Sequence, residues 1–247
     1  MPKFFIKNNQ VKGEYIDITG DDVNHIKNVL RLKIDDCIQV CNSDTGNNYK
    51  AQIVSVEKSN IKCSIIEKLN STVESNVYIH ILQGLPKADK MELIIQKCTE
   101  LGVQEITPVN MERSIVKLNP KDETKKIQRW QKIAEVAAKQ SGRDKITQIN
   151  NIVKFKDIFN VLKDYDAFLV AYEKEKENTL KKELIKLKEV SSPKVAVLIG
   201  PEGGIDDEEI KVLKTNNTKI ITLGKRILRT ETAPLAISSI IQYELEK

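Results

Sequence analysis

Val195-Ala196-Val197-Leu198-Ile199-Gly200-Pro201-Glu202-Gly203-Gly204-Ile205 sets the fold class of this chain. The five aliphatic residues do not alternate with polar ones, so they form a strand buried on both faces. Three glycines then turn the chain, and Asp206 with Glu209 makes a capping box for the helix that follows. A buried strand running through a glycine loop into a helix is the unit of an open α/β sheet, whose ligands bind at the carboxyl ends of strands. The pattern recurs at Leu223-Gly224-Lys225-Arg226-Ile227-Leu228-Arg229-Thr230-Glu231-Thr232-Ala233-Pro234. There Thr232 is the candidate N-cap and Pro234 suits the first turn. Neither loop has the spacing of a P-loop or of a dinucleotide fingerprint. Two such loops at neighbouring strand ends imply one shared cleft.

The rhythm continues on either side of these loops. Strands are expected at 77–82, 106–109, 167–172, 195–199 and 220–223, alternating with helices. One helix stripes Met91, Ile94, Ile95, Cys98 and Leu101 and ends at Gly102, a C′ glycine. A second passes through Ile127, Trp130, Ala134, Ala137 and Ser141, a third carries Leu180, Leu184 and Leu187, and the last carries Ile237, Ile240, Ile241 and Leu245. Residues 73–247 therefore read as an α/β domain with a largely parallel sheet. Ahead of them, the polar run 70–76 reads as a linker, and residues 1–72 read as β-rich. Short strands are expected at 4–6, 15–18, 37–40, 49–56 and 61–66, with one helical insert capped by Asp21 or Asp22 and facing inward through Val23, Ile26, Val29 and Leu30. That set suggests a small barrel.

Composition narrows the function classes. The chain has 247 residues, of which 40% are hydrophobic and 30% charged, a balance that suits two small globular domains and excludes a disordered chain. The net charge is +5. It is thinly spread: residues 73–150 hold 13 basic against 10 acidic side chains, while the flanking stretches are nearly neutral. An RNA partner is allowed, and its site must be a local patch. The four cysteines are dispersed, and His25 and His80 alone cannot build a multi-histidine centre, so no metal is expected. No aliphatic run approaches the ~20 residues that span a bilayer. Met1-Pro2-Lys3-Phe4-Phe5 lacks the apolar core of a signal peptide, so a cytoplasmic location is expected.

Two more segments carry candidate chemistry. Gln83-Gly84-Leu85-Pro86-Lys87-Ala88-Asp89-Lys90 leaves a strand for a helix, and its lysines either meet phosphates or solvate the helix start. Glu112-Arg113-Ser114, with Arg129, Lys132, Lys139, Gln140 and Arg143, is either an RNA-facing patch or a plain charged surface.

Taken in order, Gln83-Gly84-Leu85-Pro86-Lys87, Thr99-Glu100-Leu101-Gly102, Glu112-Arg113-Ser114, Arg129-Trp130, Gln140-Ser141-x-Arg143, Ile199 through Gly204 and Leu223 through Ala233 closely resemble the RsmE-type 16S rRNA methyltransferases of the SPOUT superfamily. Met1-Pro2-x-Phe4-Phe5 and His25-x-x-x-Val29-Leu30-Arg31-Leu32-Lys33 extend the resemblance over essentially the whole chain.

The resemblance implies a PUA-like β-barrel over 1–72 that binds RNA, and an α/β SPOUT methyltransferase domain over 73–247 whose C-terminal part forms a trefoil knot. It implies a cytoplasmic homodimer that uses S-adenosylmethionine, without a metal, to methylate N3 of a uridine in the decoding region of 16S rRNA on the small ribosomal subunit. Tyr172, Ile199, Gly200, Pro201, Glu202, Gly203, Gly204, Leu223, Gly224, Ile227 and Leu228 become the cofactor pocket. Arg229 becomes the catalytic cation, with Glu231 either orienting it or accepting the N3 proton. Lys3, Arg31, Lys33, Arg113 and Arg143 become RNA contacts. The sequence departs from the family in two places: Lys3 replaces a usual arginine, and Ile34-Asp35-Asp36 follows the Leu-Arg-Leu-Lys motif where a glycine is common. Two other readings stay open: a SPOUT enzyme acting on another RNA or another atom, and a non-catalytic RNA-binding assembly factor. The intact glycine loops speak against the second.

Overall fold

The computed structural model describes residues 1–247 except 71, 72, 88, 117, 118, 163 and 217. The stretch 70–76, read as a linker, therefore lies partly outside the described residues. The chain divides into two compact units, 1–74 with 139–145, and 75–138 with 146–247.

The first unit is a six-stranded mixed half-barrel. Its strands are β1 (Lys3–Ile6), β2 (Val11–Lys12), β3 (Tyr15–Thr19), β4 (Cys37–Asn42), β5 (Asn48–Val56) and β6 (Asn60–Leu69), in the order β1-β4-β5-β6-β3-β2. Only β1 and β4 pair in parallel. Period-two alternation turns Ile16, Ile18, Ile38, Val40, Ile53, Ile61 and Cys63 inward onto Phe4 and Ile6, all buried. A short helix, α1 (Asp21–Asn24), follows Gly20, which is its N-cap in place of either aspartate.

The chain then widens into a π-helical turn over His25–Val29, with the Leu30 N–H donating to the His25 carbonyl at 2.9 Å. That turn breaks the 3.6-residue period. Val23 and Ile26 stay buried, whereas Val29 and Leu30, expected on the same face, are exposed. After the Leu-Arg-Leu-Lys motif the chain still turns tightly. Asp35 adopts a left-handed φ of 74°, a conformation aspartate tolerates better than most residues.

The second unit is a parallel sheet with helical crossovers. In chain order it comprises β7 (Tyr78–Gly84), α2 (Lys90–Glu100), β8 (Glu105–Asn110), α3 (Pro120–Gln140), β9 (Gln148–Ile149), β10 (Val153–Lys154), β11 (Ala167–Ala171), α4 (Leu180–Ile185), β12 (Lys194–Ile199), α5 (Asp207–Thr215), β13 (Lys219–Ile221) and α6 (Ala233–Leu245). A 3-10 helical stretch, Phe155–Val161, precedes β11. The sheet order is β10-β8-β7-β12-β11-β13, with β9 also on β8. Every expected strand is present; β9 and β10, two residues each, carried no sequence signal.

Burial explains the regularity. Residues 195–199 of β12 are all buried, and each such aliphatic side chain contributes roughly 1.5–3 kcal/mol. Met91, Ile94, Ile95 and Cys98 of α2 pack beneath them, and Gly102, at φ 82°, closes that helix as expected. In α6, Ile237, Ile241 and Leu245 are buried, whereas Ile240 is exposed. All strand pairs of this sheet run parallel, and the order of strands switches between β7 and β12, the kind of switch point at whose carboxyl edge ligands bind.

Candidate active site

A cavity of about 560 Å³ opens at the carboxyl ends of β11, β12 and β13. That falls within the ~300–1,000 Å³ of small-molecule sites. Its walls are residues 171–173, 199–205 and 222–230, with Lys90 and Ala233. Every residue expected in a cofactor pocket is therefore on one wall or another: Tyr172, Ile199, Gly200, Pro201, Glu202, Gly203, Gly204, Leu223, Gly224, Ile227 and Leu228. Arg229 lines it as well.

Close backbone packing shapes the loop after β12. A Cβ on Gly84, at the end of β7, would lie 2.6 Å from Pro201 Cδ and 2.7 Å from Pro201 N. Gly204 turns with φ 73° beside the Glu173 carboxylate. The capping box forms as expected: Asp206 Oδ1 accepts the Glu208 N–H at 2.9 Å, and Glu209 Oε2 accepts the Asp206 N–H at 3.2 Å. Arg113 braces the loop. It donates to the Gly203 carbonyl at 3.2 Å and to Asp206 Oδ2 at 3.1 Å. The Tyr172 hydroxyl donates to Asp207 Oδ1 at 3.3 Å.

The loop after β13 is tied to the first by Thr230. Its hydroxyl donates to the Gly200 carbonyl at 2.7 Å and accepts from Gln83 Nε2 at 2.9 Å. Thr232 occupies the N-cap of α6 without a side-chain cap bond, so the expected hydroxyl cap is missing, while Pro234 does sit in the first turn. Gly224 has φ 118° with no atom near the Cβ position. Ile227 leaves 81% of its surface exposed at the cavity wall.

The charged groups divide sharply in exposure. The Arg229 side chain is 83% exposed, and its Nη1 lies 4.0 Å from Glu231 Oε1. The Glu231 side chain is only 16% exposed and is not part of the cavity wall. Its nearer cation is Lys90, with Nζ 3.2 Å from Oε2 in an ion pair too oblique to give that buried oxygen a hydrogen bond. Its own backbone N–H first, then Lys90 and Arg229, hold the Glu231 carboxyl below the usual range, against the effect of burial. Burial works against ionising Glu202 too, but its own N–H, the Lys87 N–H and Lys90 outweigh it.

Lys90 and Glu173 line the cavity but were not among the residues expected there. Glu173 lies two residues beyond β11, and that position was the available signal; Lys90 is the first residue of α2.

The expected RNA contacts are divided between the two units. Arg31 and Lys33 are exposed in the first unit. Lys3 and Arg143, also in the first unit, are consumed structurally. The Lys3 ammonium pairs with Asp144 and is 6% exposed. Arg143 forks onto Glu74 through Nε at 3.2 Å and Nη2 at 2.8 Å and is 5% exposed. Folding thus spends both cations on carboxylates that the sequence places far away. Arg113 belongs to the glycine loop's bracing. No group of three or more potential metal ligands occurs among the described residues, and no described helix is long and apolar enough to cross a membrane.

In chain order, a small mixed half-barrel precedes a parallel sheet with two glycine loops walling one cavity, and both parts match RNA methyltransferase families. Residues 73–242 match the RNA methyltransferase domain family and residues 18–66 the RNA methyltransferase PUA domain family. Ribosomal RNA small subunit methyltransferase E of Bacillus subtilis is 38% identical, covering 100% of this chain and 98% of that protein. The protein of the same name from Mesomycoplasma hyopneumoniae is 34% identical over 95% of this chain and 96% of its own. The crystal structure of the Neisseria gonorrhoeae protein of that name, bound to S-adenosylmethionine, superposes with a TM-score of 0.87 at 30% identity, covering 100% of this chain and 98% of that one. The chain belongs to the ribosomal RNA small subunit methyltransferase E family.

Proposed function

We propose that this protein transfers a methyl group from S-adenosylmethionine to N3 of a uridine in the decoding region of 16S rRNA, on the small subunit. The observation that carries the reading is the cavity walled by both glycine loops. Its backbone-lined wall and the uncovered Ile227 suit a flat heterocycle stacked against peptide edges. Gly204 and Gly224 keep that wall free of side-chain bulk. Bound there, the sulfonium donor would supply an electrophilic methyl group.

The chain's own residues then have defined work. Neutral N3 is a poor nucleophile and must lose its proton as the new bond forms. Arg229, exposed on the cavity wall, stabilises the imide anion flanked by two carbonyls. The proton becomes strongly acidic as the methyl arrives, so water at the open mouth suffices to accept it. Glu231, set behind the wall, orients Arg229 rather than touching substrate. Residues 1–72 bind RNA through exposed Arg31 and Lys33, residues 73–247 carry catalysis, and the enzyme works as a cytoplasmic homodimer. Calorimetry with S-adenosylmethionine, followed by methyl transfer to small subunits and to free 16S rRNA, tests the reading. Donor binding with transfer to subunits supports it; absence of donor binding refutes it.

A further inference from the structure

Lys90 opens α2, yet its ammonium faces the cavity. It lies 3.1 Å from Glu202 Oε1, on the loop after β12, and 3.2 Å from Glu231 Oε2, on the loop after β13. Three elements that are distant in sequence therefore meet at one cation. The same Glu202 oxygen also accepts the Lys87 N–H at 3.0 Å. Two carboxylates sharing one ammonium repel each other when it is removed. The remaining cation near them, Arg229, is 4.0 Å from Glu231 and mostly in solvent.

We propose that Lys90 is a positioning residue: by neutralising Glu202 and Glu231 together, it latches the glycine loop after β12 to the loop after β13 around the donor cleft. The inference rests on the methyl-donor reading of that cleft. The groups facing the pair are Lys90 from α2, the Lys87 N–H from the preceding turn, and Arg229 from the loop after β13. The two glutamates and Lys90 hold one another ionised: the paired carboxylates raise Lys90, and Lys90 lowers each of them.

The test is donor affinity against pH for the intact wild-type, Lys90→Met and Lys90→Arg proteins, with S-adenosylhomocysteine and S-adenosylmethionine as calorimetric probes. Wild type should bind with affinity nearly flat from pH 8 to about 5, since both carboxylates titrate below that range. Lys90→Met should bind roughly 10-fold more weakly at pH 7.5. Its affinity should then recover as the pH falls and one of the repelling carboxylates takes up a proton. Lys90→Arg should stay within about threefold of wild type, because the charge is kept. A purely structural lysine would not reverse the pH trend. Lys90→Gln serves as the second variant if the methionine protein does not fold. Unchanged affinity and an unchanged pH trend in the variant overturn the proposal. Failure of wild type to bind either probe overturns the donor reading instead.

Discussion

Gly84→Ala perturbs the cofactor loop without altering any polar group. A Cβ there would sit 2.6 Å from Pro201 Cδ, 2.7 Å from Pro201 N and 3.0 Å from the Gly200 carbonyl carbon. Carbon atoms in ordinary contact are about 3.5–4.0 Å apart, so the loop must retreat by roughly 1 Å. The obstacle is backbone and a proline ring, which cannot swing aside as a long side chain would. Overpacking of this kind costs about 1–3 kcal/mol. In a protein of this size that lowers the melting temperature by several degrees. The same displacement carries Gly200 and Pro201 out of the cavity wall, so donor affinity should fall by about tenfold or more, in keeping with the large penalties of ångström-scale misplacement. Differential scanning fluorimetry and calorimetry measure the two effects. Gly13→Ala is the control: φ is 63° and the space around it is open, so it costs about 1 kcal/mol of strain and leaves donor affinity alone. Gly84→Ala with wild-type donor affinity would refute the close-approach reasoning.

Three further perturbations probe other parts of the molecule. Thr230→Val removes the hydroxyl that joins Gln83 to the Gly200 carbonyl, leaving buried groups unpaired. It should cost about 1–3 kcal/mol by urea unfolding, with weaker donor binding, whereas unchanged binding would show that the two loops hold together without it. Arg143→Ala leaves Glu74 with only the Asp144 and Lys145 N–H donors and should destabilise the protein by about 1–3 kcal/mol, with Arg143→Lys giving only partial recovery because the fork is lost. A stable Arg143→Ala protein with weakened RNA binding would instead assign this arginine to RNA. His80 is buried between Tyr165 and Thr107, each 2.7 Å away, and burial pushes its pKa down to about 4 against the opposing pull of Glu105. The unfolded chain takes up a proton near pH 6.5 that the folded one refuses, so this contribution to stability is complete above pH 6.5 and is lost as the pH falls toward 4. Stability measured from pH 7.5 to 4 should decline more steeply for wild type than for His80→Gln; equal slopes would contradict the assignment.

Local physics made much of this fold legible. A short aliphatic run such as Val195 to Ile199, bounded by Pro193 and Gly200, reads as a buried strand, and the Asp206–Glu209 box is complete within four residues. Glycines after such strands mark the cleft because close approach, as at Gly84 against Pro201, leaves no room for a side chain. What depended on distant partners could not be read. The ion pairs of Lys3 with Asp144 and of Arg143 with Glu74 depend on partners 141 and 69 residues away, so no local pattern announced them. Lys90 read as either a phosphate contact or a helix-start lysine, and its convergence with Glu202 and Glu231 depended on elements distant in sequence. Val29 and Leu30 matched a helical stripe, but the π-helical turn at His25 rotated them outward. Such a turn changes the period without changing the composition.

The most direct test is the chemical identity of the product. Small subunits lacking the modification are incubated with labelled S-adenosylmethionine and the enzyme, and their nucleosides are then separated and weighed by mass spectrometry. Label in N3-methyluridine is predicted, lowered about 10²–10³-fold by Arg229→Ala while donor binding stays intact, since that side chain is 83% exposed and stabilises charge rather than fold. Label in any other nucleoside, or full activity in Arg229→Ala, would contradict it.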